Sequence, residues 1–210
     1  MSLRFPLLSR IVLPLPLPLL LLLALGLSAP AWSQDVVPAS PQRVRFETTM
    51  GAFTIEVDPA RAPLSAASFL QYARDQHYDG TIFHRVIGNF VIQGGGYLPD
   101  GAEKPVHGGV PNESGNGLSN RRSTVALART GDPHSGTSQF YVNVADNIAL
   151  DPSPSRWGYA VFGRVVEGMD VVDKIASVAT GSRVTFDEDT PLDPVVITTA
   201  RIVGEAATPK

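Results

Sequence analysis

The chain has 210 residues, a formal net charge of −3, 43% hydrophobic residues and no cysteine. That length allows one substantial core and is short for two. The mildly acidic balance argues against a nucleic-acid partner, and the lack of thiols excludes disulfide and thiolate chemistry.

The first segment reads as a secretory signal peptide. Arg4 and Arg10 form a positive start, Ile11 to Leu27 is an apolar run, and Ala29-Pro30-Ala31-Trp32-Ser33 supplies small residues for cleavage. A retained transmembrane helix is the competing reading. The run falls short of the roughly 20 residues a span prefers, however, and Pro14, Pro16 and Pro18 interrupt it. Cleavage of residues 1–33 is therefore expected, after Ala31 or after Ser33, with no membrane association afterwards. It removes two arginines and no acid, taking the formal charge from −3 to −5. Residues 34–42 form a polar, proline-containing lead-in that is expected to be flexible.

Alternation begins at residue 43. Val44, Phe46 and Thr48 interleave with polar neighbours, and after Met50-Gly51 so do Phe53, Ile55 and Val57. Period two on both sides of a glycine turn predicts a hairpin with one buried face. Pro63 can open a helix through Asp75 because its missing N–H is no loss in the first turn. Ala66, Phe69, Leu70 and Ala73 form that helix's apolar stripe. A second hairpin covers Ile82 to Gly94, and a loop-rich stretch runs from Gly94 to Ser123. Strands are predicted over Thr124–Arg129, Ser138–Val144 and Tyr159–Val166. A helix follows over Asp170–Val178 with Gly181 just past its end, and a closing strand runs from Pro194 to Val203. Many antiparallel strands with two helices predict a mainly β domain, a barrel whose open ends the helices cover. Phe46, Phe53, Phe140 and Phe162 are the expected filling.

The second hairpin, Ile82-Phe83-His84-Arg85-Val86-Ile87-Gly88-Asn89-Phe90-Val91-Ile92-Gln93-Gly94, carries an arginine and a glutamine among large apolar residues, where an unpaired charge is costly. With a two-residue loop, Gly88-Asn89, Arg85 opposes Ile92 and the polar pair is split between faces. With a three-residue loop, Gly88-Asn89-Phe90, Arg85 opposes Gln93 and both stand beside Val91 and Ile87. Turn chemistry alone does not choose, since glycine and asparagine serve either loop. Taken alone, Arg85 also fits a structural role, paired with an acid such as Glu113. His77, His84, His107 and His134 lie at no metal-ligand spacing, so no metal or other cofactor is expected. Gly94-Gly95-Gly96 lacks the lysine and helix of a phosphate loop and reads as close backbone packing.

Three blocks of the sequence resemble the cyclophilin family of peptidyl-prolyl cis-trans isomerases, with the nearest likeness to periplasmic bacterial members. They are Phe83-His84-Arg85-Val86-Ile87 with Phe90-Val91-Ile92-Gln93-Gly94-Gly95; Ala126-Leu127-Ala128-Arg129 with Thr137-Ser138-Gln139-Phe140-Tyr141-Val142-Asn143; and Tyr159-Ala160-Val161-Phe162-Gly163-Arg164-Val165 with Gly168-Met169. They lie in order across residues 43–204, leaving 205–210 as a tail. The resemblance implies a closed eight-stranded antiparallel barrel capped by two helices, and the register that unites Arg85 with Gln93. It implies catalysis by Arg85 and Gln93. Phe90, Val91, Tyr141 and Leu150 are the implied walls of a proline pocket, with Arg129 and Gln139 as further substrate contacts. Proline-containing polypeptide clients, a monomeric state and a periplasmic location follow from the same likeness.

Several positions depart from the family pattern. Gly88-Asn89 replaces a common Pro-Gly, Val91 stands for methionine, and Tyr141 stands for phenylalanine and brings a hydroxyl that needs a partner. Ala149 occupies the place of a tryptophan found in cyclosporin-sensitive members, which implies weak cyclosporin binding. The rival readings are a cyclophilin-fold module that grips proline segments without turnover, a hollow small-molecule barrel, and a serine hydrolase. The last lacks a Gly-x-Ser-x-Gly elbow.

Overall fold

The computed structural model describes residues 41–183 and 186–205, with the side chain of Asp187 left aside. The signal-peptide segment, most of the lead-in and the tail beyond Glu205 lie outside the described residues. Among those described, no helix is long and apolar enough to cross a membrane.

The alternation at the start forms β1 (Arg43–Thr48) and β2 (Gly51–Val57), paired antiparallel with Val44 opposite Ile55 and Phe46 opposite Phe53. All four of these apolar side chains are buried. Helix α1 (Pro63–Arg74) starts on Pro63 and buries Ala66, Phe69, Leu70, Tyr72 and Ala73. The second hairpin is β3 (Phe83–Ile87) and β4 (Val91–Gly94). Then come β5 (Thr124–Leu127), β6 (Phe140–Asn143), a 3-10 turn at Ile148–Leu150, β7 (Val161–Glu167) and α2 (Met169–Ala176). A two-stranded ribbon, β8 (Thr180–Arg183) with β9 (Phe186–Pro191), precedes the last strand, β10 (Ile197–Ile202). Gly181 belongs to this ribbon and does not close α2, whose last turn ends at Ser177.

Eight strands form one antiparallel sheet in the order β10-β1-β2-β7-β5-β6-β4-β3. The expected closed barrel is corrected to an open half-barrel, because β3 and β10 remain edges of the ladder. Among the described residues they meet only at their first residues and those just before: Ile82 bridges Val196, the Phe83 N–H donates to Val195 O at 3.0 Å, and the Ile197 N–H donates to Thr81 O at 2.7 Å. In that antiparallel register the residues just before β10, and not β10 itself, run beside β3, and β9 packs against β3 as well. Pro191 at the end of β9 and Pro194 in the connection to β10 also have no N–H to continue a ladder.

Aromatic rings fill the sheet's concave side. Phe46 stacks on Phe53 with centroids 5.2 Å apart, and Phe69 meets Phe162 at 4.8 Å and the edge of Phe140 at 5.6 Å. Phe46, Phe53, Phe140 and Phe162 are all buried, as the sequence predicts. A smaller apolar cluster lies on the other face of the middle strands: Val91, Ala126, Ala128, Tyr141 and Val161, with Phe90, Leu118, Leu150 and Tyr159 packed on it. Strand alternation makes this division. Ile92, Phe140 and Val142 join the main core, and Val91 and Tyr141 join the second cluster.

Candidate active site

The second cluster floors a cavity, and hairpin register decides what stands over it. Ile87 opposes Val91 and Arg85 opposes Gln93, so the loop is the three-residue one, Gly88-Asn89-Phe90. Asn89 takes φ 58°, and the Phe90 N–H donates to Ile87 O at 3.1 Å. A residue at positive φ in the turn suits asparagine far better than a branched side chain. Strand β4 then pairs with β6, setting Gln93 opposite Tyr141, and β6 pairs with β5, setting Tyr141 opposite Ala126. Arg85, Gln93 and Tyr141 thus come from three adjacent strands at one level of the sheet.

The cavity holds about 240 Å³ and is lined by Arg85, Phe90, Val91, Gln93, Ala128, Arg129, Tyr141, Leu150 and Tyr159. Seven of the eight site residues picked out from the sequence are among these. The eighth, Gln139, stands behind Gln93, accepting a hydrogen bond from its Nε2 at 3.1 Å. Gly96 makes room for it, since a Cβ there would sit 2.6 Å from Gln139 Cγ. Ala128 and Tyr159 were not foreseen, although both fall inside or beside the recognised blocks.

An amide network fixes the floor. The Tyr141 hydroxyl donates to Asn120 Oδ1 at 2.7 Å, which supplies the partner its extra oxygen demanded. Asn120 in turn donates from Nδ2 and from its backbone N–H to Asp151 Oδ1, at 2.9 and 2.7 Å. Burial raises the Tyr141 phenol, and the nearby Tyr159 and Asp151 add to the rise, so it stays a donor. Burial alone would raise the Asp151 carboxyl as well. Hydrogen bonds from Ser119 and Asn120 outweigh that effect and hold it below the usual carboxylate range. Asn147 donates to Phe90 O at 2.8 Å, tying the hairpin loop to the same network.

Arg129 forms one rim. Its guanidinium lies 4.5 Å over the Tyr159 ring and donates to the carbonyls of Gly158, Thr130 and Trp157. Its side chain is committed to this loop, while its own N–H and C=O take no hydrogen-bond partner among the described residues. Arg85 forms the opposite rim. Its closest acid is Asp189, with Nε 4.0 Å from Oδ2. Glu113, the other acid considered for it, instead caps α1 by accepting from the N–H groups of Leu64 and Ser65 at 3.0 and 2.8 Å.

His84 is buried between Tyr97 and Phe186, at centroid distances of 4.8 and 5.6 Å, and its Nδ1 has no partner. Loss of hydration, with the adjacent Arg85 charge second, lowers its pKa to about 4 and keeps it neutral near pH 7. A larger cavity of about 720 Å³ shares Arg85 with the first and lies between β3 and the ribbon. The sequence offered no sign of it.

A rim cation and a held amide beside an apolar notch favour binding a ring and polarising an amide. Residues 43–202 match the family described as cyclophilin type peptidyl-prolyl cis-trans isomerase/CLD. A peptidyl-prolyl cis-trans isomerase of Streptomyces antibioticus is 52% identical over 164 residues, covering 77% of this chain and 98% of the relative. Peptidyl-prolyl cis-trans isomerase B of Escherichia coli (strain K12) is 48% identical over 157 residues, covering 73% and 95%. Isomerase A of Dickeya dadantii is 42% identical over 177 residues, covering 84% and 93%. Among solved structures, a cyclophilin type isomerase of Cryptosporidium parvum has the same fold, with a TM-score of 0.65 and 23% identity over 80% of this chain and 100% of that one.

Proposed function

The chain belongs to the cyclophilin-type peptidyl-prolyl cis-trans isomerases and is an enzyme of that class; from that premise we propose that the Arg85 cavity is where it turns Xaa-Pro bonds. Rotation must break amide resonance, a barrier of roughly 20 kcal/mol, and it makes or breaks no covalent bond. The proline ring enters the notch of Phe90, Val91, Tyr141 and Leu150. Arg85 donates to the prolyl nitrogen as its lone pair localises, a task suited to a guanidinium that stays charged. Gln93 spends one N–H on Gln139 and keeps a second for the substrate carbonyl. The unpartnered backbone of Arg129 pairs with the peptide beside the proline. The observation that carries this reading is the row Arg85, Gln93 and Tyr141 around one cavity.

A charge-assisted hydrogen bond is worth about 1.5–3 kcal/mol. Removing it costs roughly ten- to hundredfold in rate. A protease-coupled assay on an Xaa-Pro peptide should therefore show Arg85→Ala with kcat/KM lower by roughly that factor. Equal activity in the two proteins would remove Arg85 from the catalytic machinery and overturn this reading of the cavity.

The biological role is the folding of exported proteins by a monomer in the periplasm. Support comes from the leader-like composition of residues 1–33 and from the slowness of uncatalysed prolyl isomerisation. N-terminal sequencing of the exported protein should begin at Trp32 or Gln34. An intact Met1 in the periplasmic fraction would overturn the leader.

A further inference from the structure

Arg85 has one ion-pair partner among the described residues, and that partner is carried by neither β3 nor β4. Asp189 lies in β9, 4.0 Å from the Arg85 Nε, and the two side chains are 43% (Arg85) and 41% (Asp189) exposed. At that distance the carboxylate attracts the guanidinium without occupying one of its donors. The Asp189 backbone is unusual as well, with φ 67° inside a strand. Non-glycine residues take that conformation rarely and at a cost, and such outliers gather at functional sites. The ribbon that carries Asp189 packs along β3, with Phe186 against Tyr97 at 5.0 Å and against His84, the residue preceding Arg85, at 5.6 Å.

We propose that Asp189 is a positioning residue for the Arg85 guanidinium, holding it from the Nε side so that the terminal N–H groups are free to meet the prolyl nitrogen. A half-exposed arginine has many rotamers, and only a few aim its terminal donors over the 240 Å³ cavity. An anion on one side of the side chain weights that set before substrate arrives. Arg183 and Glu188 line the same ribbon cavity as Asp189, and neither forms an ion pair with a described residue. The inference rests on the reading of Arg85 given above.

The test measures kcat and KM separately on one Xaa-Pro peptide, for wild type, Asp189→Asn, Asp189→Glu, Glu188→Gln and Arg85→Ala. Asparagine tolerates the left-handed conformation about as well as aspartate, so Asp189→Asn removes the charge and keeps the backbone. It should lower kcat roughly two- to fivefold, the range of an exposed ion pair, with KM little changed. Wild-type kcat should fall towards that value as salt rises from about 0.05 to about 0.5 M, while the variant stays flat. Asp189→Glu should recover part of the loss, and Glu188→Gln should lose less than Asp189→Asn. An unchanged or raised kcat in Asp189→Asn, a loss carried by KM alone, or an equal loss in Glu188→Gln would overturn the positioning role. If any of these occurs while Arg85→Ala is crippled, the positioning role alone falls. A fully active Arg85→Ala would take the site reading down with it.

Discussion

His84 shows what burial does to a residue whose neighbours are chosen for packing. Its ring is wedged between Tyr97 and Phe186, and its pKa falls from the ordinary 6.5 to about 4. Between those two values the unfolded chain binds a proton that the folded chain refuses. Stability from this residue is therefore full above about pH 6.5 and declines as pH drops to about 4, by at most about 3 kcal/mol. Thermal midpoints followed across that window should slope in wild type and lose part of the slope in His84→Gln; identical slopes would clear His84 of the effect. The site was readable at this scale where a polar residue interrupts an apolar run, as Arg85 and Gln93 do. Asn120 and Asp189 gave no such signal. Both lie in polar surroundings, and their partners, Tyr141 and Arg85, are 21 and 104 positions away, a relation that only folding reveals.

Elements with a strong period were legible. Strands β1 and β2 and helix α1 begin and end within a residue or so of their expected bounds, since apolar spacing and Pro63 mark them. The ribbon β8–β9 was not legible, because Thr180-Gly181-Ser182-Arg183 carries no apolar alternation and Phe186 is the one large apolar anchor in its partner. What holds α1 at its start was equally hidden. Ala62 offers no side-chain cap, and Glu113, 50 residues after the first helical position, accepts from Leu64, Ser65 N–H and Ser65 Oγ. Removing such a cap costs about 1–2 kcal/mol. Glu113→Ala should therefore melt roughly 3–8 °C lower, with isomerase activity at room temperature nearly intact. An unchanged midpoint would mean that water replaces the carboxylate without loss.

For the whole molecule, the eight strands that the resemblance implied are those of the main sheet, but the sheet is open and the ribbon β8–β9 is additional. Pattern alone cannot tell whether the first and last members of a curved sheet pair along their length, which depends here on their register. The seam is instead clasped at one end. Arg201 of β10 makes paired bonds to Asp79 at 2.8 and 2.7 Å, and Asp79 also accepts from the Ala200 N–H. Next to it the Gly80 N–H donates to Ile197 O. Asp79→Ala should cost about 1–3 kcal/mol, since it strips an arginine and a backbone N–H of their acceptor. Amide exchange at Gly80, Phe83 and Ile197 should speed up by a factor of roughly ten to a hundred, with positions inside β1, β2 and β7 affected less. Uniform acceleration across the sheet would mean that the seam does not open by itself.

The rim at Arg129 brings a practical bonus. Trp157, whose carbonyl takes one of the Arg129 bonds, is 51% exposed, with its indole 5.4 Å from the His134 ring. The sequence has two tryptophans, Trp32 and Trp157, and cleavage after Ser33 would leave Trp157 as the sole indole fluorophore. Its emission would then test the proposed peptide docking beside Arg129 without any attached dye.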